Sequence, residues 1–128
     1  MAKFLNDRIY DLEDRTFKFA RSVRDLVKRL PKSIAAAEDS KQLVRSSGSV
    51  GANYIEANES LSKKDFILRI KICRKESKES RYWLSLIDTG GIDEIANKRD
   101  SLAQEAKELM NIFGAIVRKS EQVRTLEN

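Results

Sequence analysis

Residues 45–58 read R-S-S-G-S-V-G-A-N-Y-I-E-A-N, and this stretch decides the fold. It is rich in small residues, yet it keeps a spacing of alternately three and four residues that starts upstream. In a helix this spacing places one stripe of side chains on a single face. The stripe comprises Ser40, Leu43, Ser47, Val50, Tyr54 and Ala57. Because small side chains let neighbouring backbones approach closely, the stretch predicts a helix packed tightly against other helices.

Two polar residues lie on one edge of the same stripe. Asn53 and Glu56 are three residues apart, so a helix would place them side by side. Polar groups in or beside a protein core need hydrogen-bond partners. We therefore expect both side chains to be buried and paired.

Four segments with helical periodicity follow one another along the chain, and short polar or glycine-containing connections separate them. The predicted helices cover about residues 12–30, 35–58, 63–89 and 93–121. Helices joined by such short connections pack as neighbours that run in opposite directions. The sequence therefore predicts one all-α domain, residues 1–128, that folds as an antiparallel up-down-up-down four-helix bundle.

The ends of the predicted helices carry residues with known end preferences. Asp11 is expected to cap the first helix, and Pro31 to end it. Ser62 and Asp65 have the spacing of a capping box at the start of the third helix. Gly90 is expected to form a glycine cap at its end.

Each predicted helix carries one inward-facing stripe. In the other three helices these stripes are Leu12, Thr16, Phe19, Val23, Leu26 and Leu30; then Phe66, Ile70, Cys73, Ser77, Ser80, Leu84 and Ile87; then Ile95, Leu102, Ala106, Leu109, Phe113 and Ile116. Further apolar residues lie off the stripes, namely Ile55, Ile67, Leu68, Ile72, Trp83, Leu86 and Met110. Some of them would widen the core, but this many indicate a second buried surface and hence self-association.

Composition limits the chemistry that the chain can perform. The sequence has no histidine and one cysteine, which removes the commonest general base, the commonest metal ligand and any internal disulfide. Glu76 and Glu79, like Glu105 and Glu108, have the spacing of carboxylates in di-metal bundles, but those sites also use histidine. We expect these glutamates to pair with lysines and arginines on adjacent turns or helices. The sequence therefore predicts no enzyme, catalytic residue, metal, cofactor or small-molecule substrate.

The sequence shows no feature of export or membrane insertion. Its apolar runs are too short to span a bilayer. The first ten residues contain Asp7 and Arg8 where a signal peptide would be apolar. We therefore expect a cytoplasmic protein that does not contact membranes.

The net charge of +5 is concentrated in one segment. Residues 63–82 contain eight basic and three acidic residues, whereas the rest of the chain is balanced. On a helix, five of these basic residues form a continuous cationic face, namely Lys71, Arg74, Lys75, Lys78 and Arg81. This face suits contacts with nucleic-acid phosphates, and it equally suits a solvated surface that keeps the protein soluble.

Several stretches resemble one bacterial protein family. They are residues 45–58, the S-K-K-D-F of residues 62–66, the K-E-S-K-E-S-R-Y-W-L of residues 75–84 and the D-L-E-D-R-T-F-K-F-A of residues 11–20. Together they are similar to the four-helix-bundle family of 23S rRNA intervening-sequence proteins. The resemblance spans residues 10–120 approximately, and it is strongest over residues 42–86.

The resemblance implies a homo-oligomer, pentameric in known structures of the family, with no assigned catalytic residues and suspected nucleic-acid binding. We accordingly expect a ring-like homo-oligomer. The family's Asn and Glu on the second helix correspond to Asn53 and Glu56, and its pair of glutamates on the third helix to Glu76 and Glu79. The resemblance implies that these four residues form a structural polar network.

Two functional hypotheses follow. The first is a non-enzymatic, oligomeric protein that binds RNA or DNA electrostatically through the basic face of the third helix. The alternative is a structural or protein-interaction module, for example an accessory factor that docks an acidic protein partner and has no nucleic-acid role.

Overall fold

The computed structural model describes the backbone of residues 2–127 and the side chains of residues 12–122. It consists of four helices, α1 (Ala2–Val27), α2 (Ile34–Asn58), α3 (Lys63–Leu86) and α4 (Asp93–Glu127). No strand occurs within this backbone, so the predicted all-α, four-helix fold is confirmed. α1 and α3 each pack against both α2 and α4. In the searched part of the chain, none of these helices has an apolar segment of the length needed to cross a bilayer.

The first and last helices are longer than the sequence predicts. α1 begins at Ala2, so Asp11 lies inside the helix and the prediction that it is the cap was wrong. No proline or glycine interrupts residues 2–10, and helix formation therefore continues through them. Likewise, α4 continues past residue 121 to Glu127. α1 ends at Val27, and residues 28–30 form a turn that leads into Pro31.

Serine side chains cap the N-termini of the two middle helices. The Ser33 hydroxyl accepts a hydrogen bond from the backbone N–H of Ala36 at 3.0 Å. The Ser62 hydroxyl accepts one from the backbone N–H of Asp65 at 3.1 Å, which confirms the predicted cap of α3. Each hydroxyl satisfies an N–H group that has no partner within the helix.

The end of α3 differs from the prediction. The helix stops at Leu86, because Ile87 adopts an extended backbone and its side chain is buried in the core. Gly90 is therefore not the helix cap. Gly90 and Gly91 have φ of 68° and 70° and form a left-handed turn outside the helix, where a side chain would be strained. The Gly90 N–H donates to the Asp88 carboxylate at 2.8 Å.

The predicted stripes form the core between the four helices. Most stripe residues are buried, including every stripe residue of α1. Ser40, Phe66 and Ile116 are half-buried, and Val117 is buried beside Ile116. Of the apolar residues off the stripes, Ile67 is buried, and Trp83 is half-buried and packs against the core. The periodicity of the sequence thus locates the core to within one residue on each helix.

Small residues bring the helices close together, as the opening stretch predicts. The side chains of Ser46 and Ser80 are fully buried where α2 meets α3, and the Ser80 hydroxyl donates to the Ser46 hydroxyl at 2.9 Å. On the α1 side, a Cβ built on Gly51 would lie only 3.1 Å from the Thr16 hydroxyl oxygen. These contacts leave no room for larger side chains at the seam between α2 and its neighbours.

Replacing Ser80 with leucine tests this packing. We expect Ser80→Leu to lower the free energy of unfolding by about 1–3 kcal/mol, because the larger side chain must push α2 and α3 apart. Ser85→Leu, at an exposed position on the same helix, should change it by about 0.5 kcal/mol or less. Urea denaturation of both variants measures the difference. Equal stability of the two variants would contradict the tight seam.

Candidate functional site

The cationic face lies on the surface of α3. The core lies on another side of this helix. All five residues of the cationic face are therefore exposed, namely Lys71, Arg74, Lys75, Lys78 and Arg81. The face is turned towards α4, since Lys71 contacts Glu121 and Arg74 lies over Gly114. The basic surface that the charge pattern predicted therefore lies beside the contact between α3 and α4.

One charge of the cationic face is neutralised within the molecule. The ammonium group of Lys71 lies 3.0 Å from the carboxylate of Glu121 on α4. The other four members have no carboxylate within 4 Å among the side chains of residues 12–122. The positive charge without a carboxylate partner is therefore carried by Arg74, Lys75, Lys78 and Arg81.

α4 extends the cationic face with one residue that charge counted along the chain did not indicate. Arg118 is exposed. A Cβ built on the buried Gly114 would lie 3.3 Å from Nη1 of Arg118 and 3.7 Å from Nε of Arg74, so both guanidinium groups cover this glycine. A sum of charges along the chain cannot reveal such a pair. The feature of the sequence that could have indicated this pair is Gly114, a glycine that lies inside a helix, four residues before Arg118.

An arginine clamp joins α2 to α3. The guanidinium group of Arg45 forms ion pairs with Glu76, at 3.3 Å, and with Glu79. The indole N–H of Trp83 donates to the Glu79 carboxylate at 3.3 Å. The side chain of Glu76 is only 8% exposed, so Arg45 supplies the opposite charge that this carboxylate requires.

A second clamp of the same form joins α1 to α4. Arg15 donates to both carboxylate oxygens of Glu105, at 2.8 and 2.7 Å, and to Glu108 at 3.1 Å. Hydrogen bonding to Glu105 raises the pKa of Arg15 above its usual value. The prediction that both glutamate pairs bind basic residues is confirmed. Among the residues that the structure describes, no three metal-ligating side chains converge.

The predicted polar network of four residues is divided in the structure. Glu76 and Glu79 share Arg45. Asn53 is half-buried and belongs to a separate contact, where its amide donates to Ser49 and its carbonyl accepts from Arg69 at 3.1 Å.

Glu56 does not join either group. Its side chain is exposed, so the expectation that it is buried and paired was wrong. Three residues fall about 60° short of a full helical turn. That offset carries Glu56 past the edge of the stripe and into solvent, whereas Asn53 stays beside α3.

An apolar flank runs along α3 beside the cationic face. It consists of Leu68, Ile72, Tyr82, Trp83 and Leu86. Leu68, Tyr82 and Leu86 are 55%, 57% and 49% exposed. The rings of Tyr82 and Trp83 pack edge to face, with centroids 5.1 Å apart. Because Trp83 bonds to Glu79, which binds Arg45 of α2, this flank lies on the side of α3 that is turned towards α2.

The single cysteine belongs to the core. The thiol of Cys73 is buried and donates to the backbone carbonyl of Val50 at 3.4 Å. Burial raises its pKa to about 12, so the reactive thiolate does not form near neutral pH. Cys73 therefore contributes packing and no chemistry.

Comparison with known proteins shows similarity to one protein family and to solved structures. The chain matches the family described as 23S rRNA-intervening sequence protein over residues 10–115. It is also similar to the crystal structure of a protein with unknown function from the S23 ribosomal protein family of Bacteroides thetaiotaomicron. The two chains share 29% identity with a TM-score of 0.70, over 83% of this chain and 97% of that one. No curated protein matches the sequence significantly.

Removing Arg45 tests the clamp between α2 and α3. Arg45→Gln should lower the free energy of unfolding by about 1–3 kcal/mol, because the buried carboxylate of Glu76 loses its charged partner. Adding Glu76→Gln should restore part of that loss, since the remaining buried group is then neutral. Thermal and urea unfolding of the two single variants and the double variant measure this. Strictly additive effects would contradict a direct interaction.

Proposed function

The chain belongs to the family of 23S rRNA-intervening sequence proteins, and from this premise we propose that it is a non-enzymatic, oligomeric protein that binds RNA or DNA. One observation carries the proposal. Arg74, Lys75, Lys78 and Arg81 are exposed on α3 with no carboxylate within 4 Å in the described part of the chain. Arg118 extends this surface onto α4.

The chemistry of this surface is that of phosphate binding. Lysine and arginine side chains that neutralise phosphates release the counterions condensed on nucleic acid, and this release drives binding that depends on salt and not on base sequence. The other prominent ionic groups support a non-enzymatic role. The two glutamate pairs that would be candidate acid–base groups are occupied by Arg15 and Arg45.

The proposal includes an antiparallel up-down-up-down course of the helices. Contacts between α2 and α3 support it. Ser46 bonds to Ser80, whereas Asn53, further along α2, bonds to Arg69, which comes earlier in α3. Positions that rise along one helix therefore meet positions that fall along the other.

The proposal also includes self-association into a ring-like homo-oligomer, with five subunits as the family resemblance implies. The apolar flank supports it, because exposed leucine and tyrosine side chains in a row are typical of protein interfaces. A subunit seated on this flank would leave the side of α3 that faces α4 open. The protein would act in the cytoplasm, where RNA and DNA are available.

A second candidate function is docking of an acidic protein partner, without any nucleic-acid role. The observation that favours it is the apolar flank directly beside the cationic face. Protein interfaces commonly combine an apolar centre with a charged rim. Such a partner would bind with affinity that depends on its own sequence, whereas nucleic acids of unrelated sequence would compete poorly.

Neutralising the middle of the cationic face tests the first candidate. We expect Lys78→Gln with Arg81→Gln to weaken binding to unrelated oligonucleotides alike, and to lower the slope of log affinity against log salt by roughly one unit for each lost phosphate contact. Fluorescence anisotropy over a range of salt concentrations measures both effects.

The matched control is Arg21→Gln with Lys41→Gln, which removes the same charge from exposed positions on α1 and α2. It should bind as the parent does. If the two double variants lose affinity equally, the cationic face is not the binding surface. A parent that binds neither RNA nor DNA at low salt would contradict the proposed function altogether.

Charging the apolar flank tests self-association. Leu68→Glu with Leu86→Glu should dissociate the oligomer, because two carboxylates would be desolvated at the interface. Light scattering at micromolar concentration should give an oligomer mass for the parent and a monomer mass for this variant. Phe17→Glu, at a position on α1 that is 62% exposed, should leave the mass unchanged. A monomeric parent would rule out the assembly.

A further inference from the structure

The two arginines over Gly114 form an arrangement that the charge pattern of α3 does not contain. Arg74 comes from α3 and Arg118 from α4, and atoms of both side chains lie within 4 Å of the point where a Cβ of residue 114 would be. Two guanidinium groups from different helices thus lie close together over the same glycine. Neither has a carboxylate within 4 Å among the described side chains.

The next contact between α3 and α4 is different. There, Lys71 of α3 pairs with Glu121 of α4 at 3.0 Å. Over Gly114, two positive charges meet instead. Like charges repel, and an anion that bonds to both guanidinium groups would offset this repulsion. The planar donors of arginine match the oxygens of a phosphate in bidentate geometry.

We propose that Arg74 and Arg118 form a clamp for a single backbone phosphate of RNA or DNA, and that Gly114, which has no side chain, lets the two guanidinium groups lie close enough together to bond to the same phosphate. This inference rests on the proposed function and assigns one specific contact within it. It divides the surface into a defined site over Gly114 and the remaining lysines and arginines, which attract the polyanion without fixed geometry.

The backbone of α4 does not require a glycine at position 114. Glycine destabilises a helix interior relative to residues with side chains, and φ of Gly114 is not among the positive values of the described glycines. The atoms nearest to an added Cβ belong only to the two arginines. A larger residue here would therefore displace the guanidinium groups before it met the backbone of α3.

This geometry allows a test that leaves the net charge unchanged. We expect Gly114→Leu to retain or increase the melting temperature, because leucine is the better helix former, and to weaken oligonucleotide binding by roughly tenfold through loss of charged hydrogen bonds. Gly48→Leu is the matched control, since a Cβ there would lie 3.2 Å from Nη2 of Arg24, a single arginine on another seam. The control should bind as the parent does.

Arg118→Gln provides the second variant. It should weaken binding as much as Gly114→Leu does and lower the salt slope by roughly one unit. Combining the two substitutions should add little further loss, because both remove the same contact. Arg21→Gln, which removes an exposed arginine from α1, should change neither quantity.

A titration with inorganic pyrophosphate examines the clamp without nucleic acid. In ¹⁵N spectra of the parent, the Nε–H signals of Arg74 and Arg118 should shift together, and in Gly114→Leu they should not. Shifts of equal size at Arg21 would indicate general ion pairing and overturn the clamp.

The outcomes separate the two proposals. If Lys78→Gln with Arg81→Gln weakens oligonucleotide binding but Gly114→Leu and Arg118→Gln bind as the parent does, the clamp is wrong and the proposed function stands. If the parent binds no oligonucleotide, the proposed function is wrong, and the assignment of the clamp to a nucleic-acid phosphate is wrong with it, whatever pyrophosphate does.

Discussion

Close packing of α3 between α2 and α4 is the constraint on which the rest of the structure depends. Serines at its inner side, such as Ser77 and Ser80, are fully buried and let the neighbouring helix approach. A narrow inner stripe then suffices to hold α3 in place. The rest of the α3 surface is not needed for packing in the core. This is why one helix displays both a cationic face and an apolar flank, while α1 and α2 mainly supply packing and ion pairs.

The core was predictable because it depends on local spacing. Side chains three and four residues apart share a helix face in any helical context, and burial then follows from their apolar character, as for Phe19 and Leu84. Serine caps such as Ser62 are equally local, since cap and bonded N–H lie within one turn. The family resemblance, which rested on such helical stretches, was confirmed by the match over residues 10–115.

The candidate site was less predictable, because its decisive contacts join residues far apart in sequence. Glu121 neutralises Lys71, and Arg118 joins Arg74, only once α4 packs beside α3. Charge counted along the chain treated all members of the cationic face as equivalent. The position of Glu56 depends on a small rotation at the edge of a stripe, which periodicity does not resolve. The burial of Ile87, which ends α3, also results from tertiary packing.

The clamps formed by Arg15 and Arg45 bear on how the molecule would approach the proposed nucleic-acid ligand. Each clamp holds two carboxylates against one guanidinium group and therefore carries one excess negative charge. The seam between α3 and α4 carries unpaired positive charge. An uneven charge distribution turns a molecule as it diffuses towards an opposite charge and raises the association rate at low ionic strength. In the proposed encounter with nucleic acid, the clamps that fasten the helices would therefore also orient the molecule before first contact.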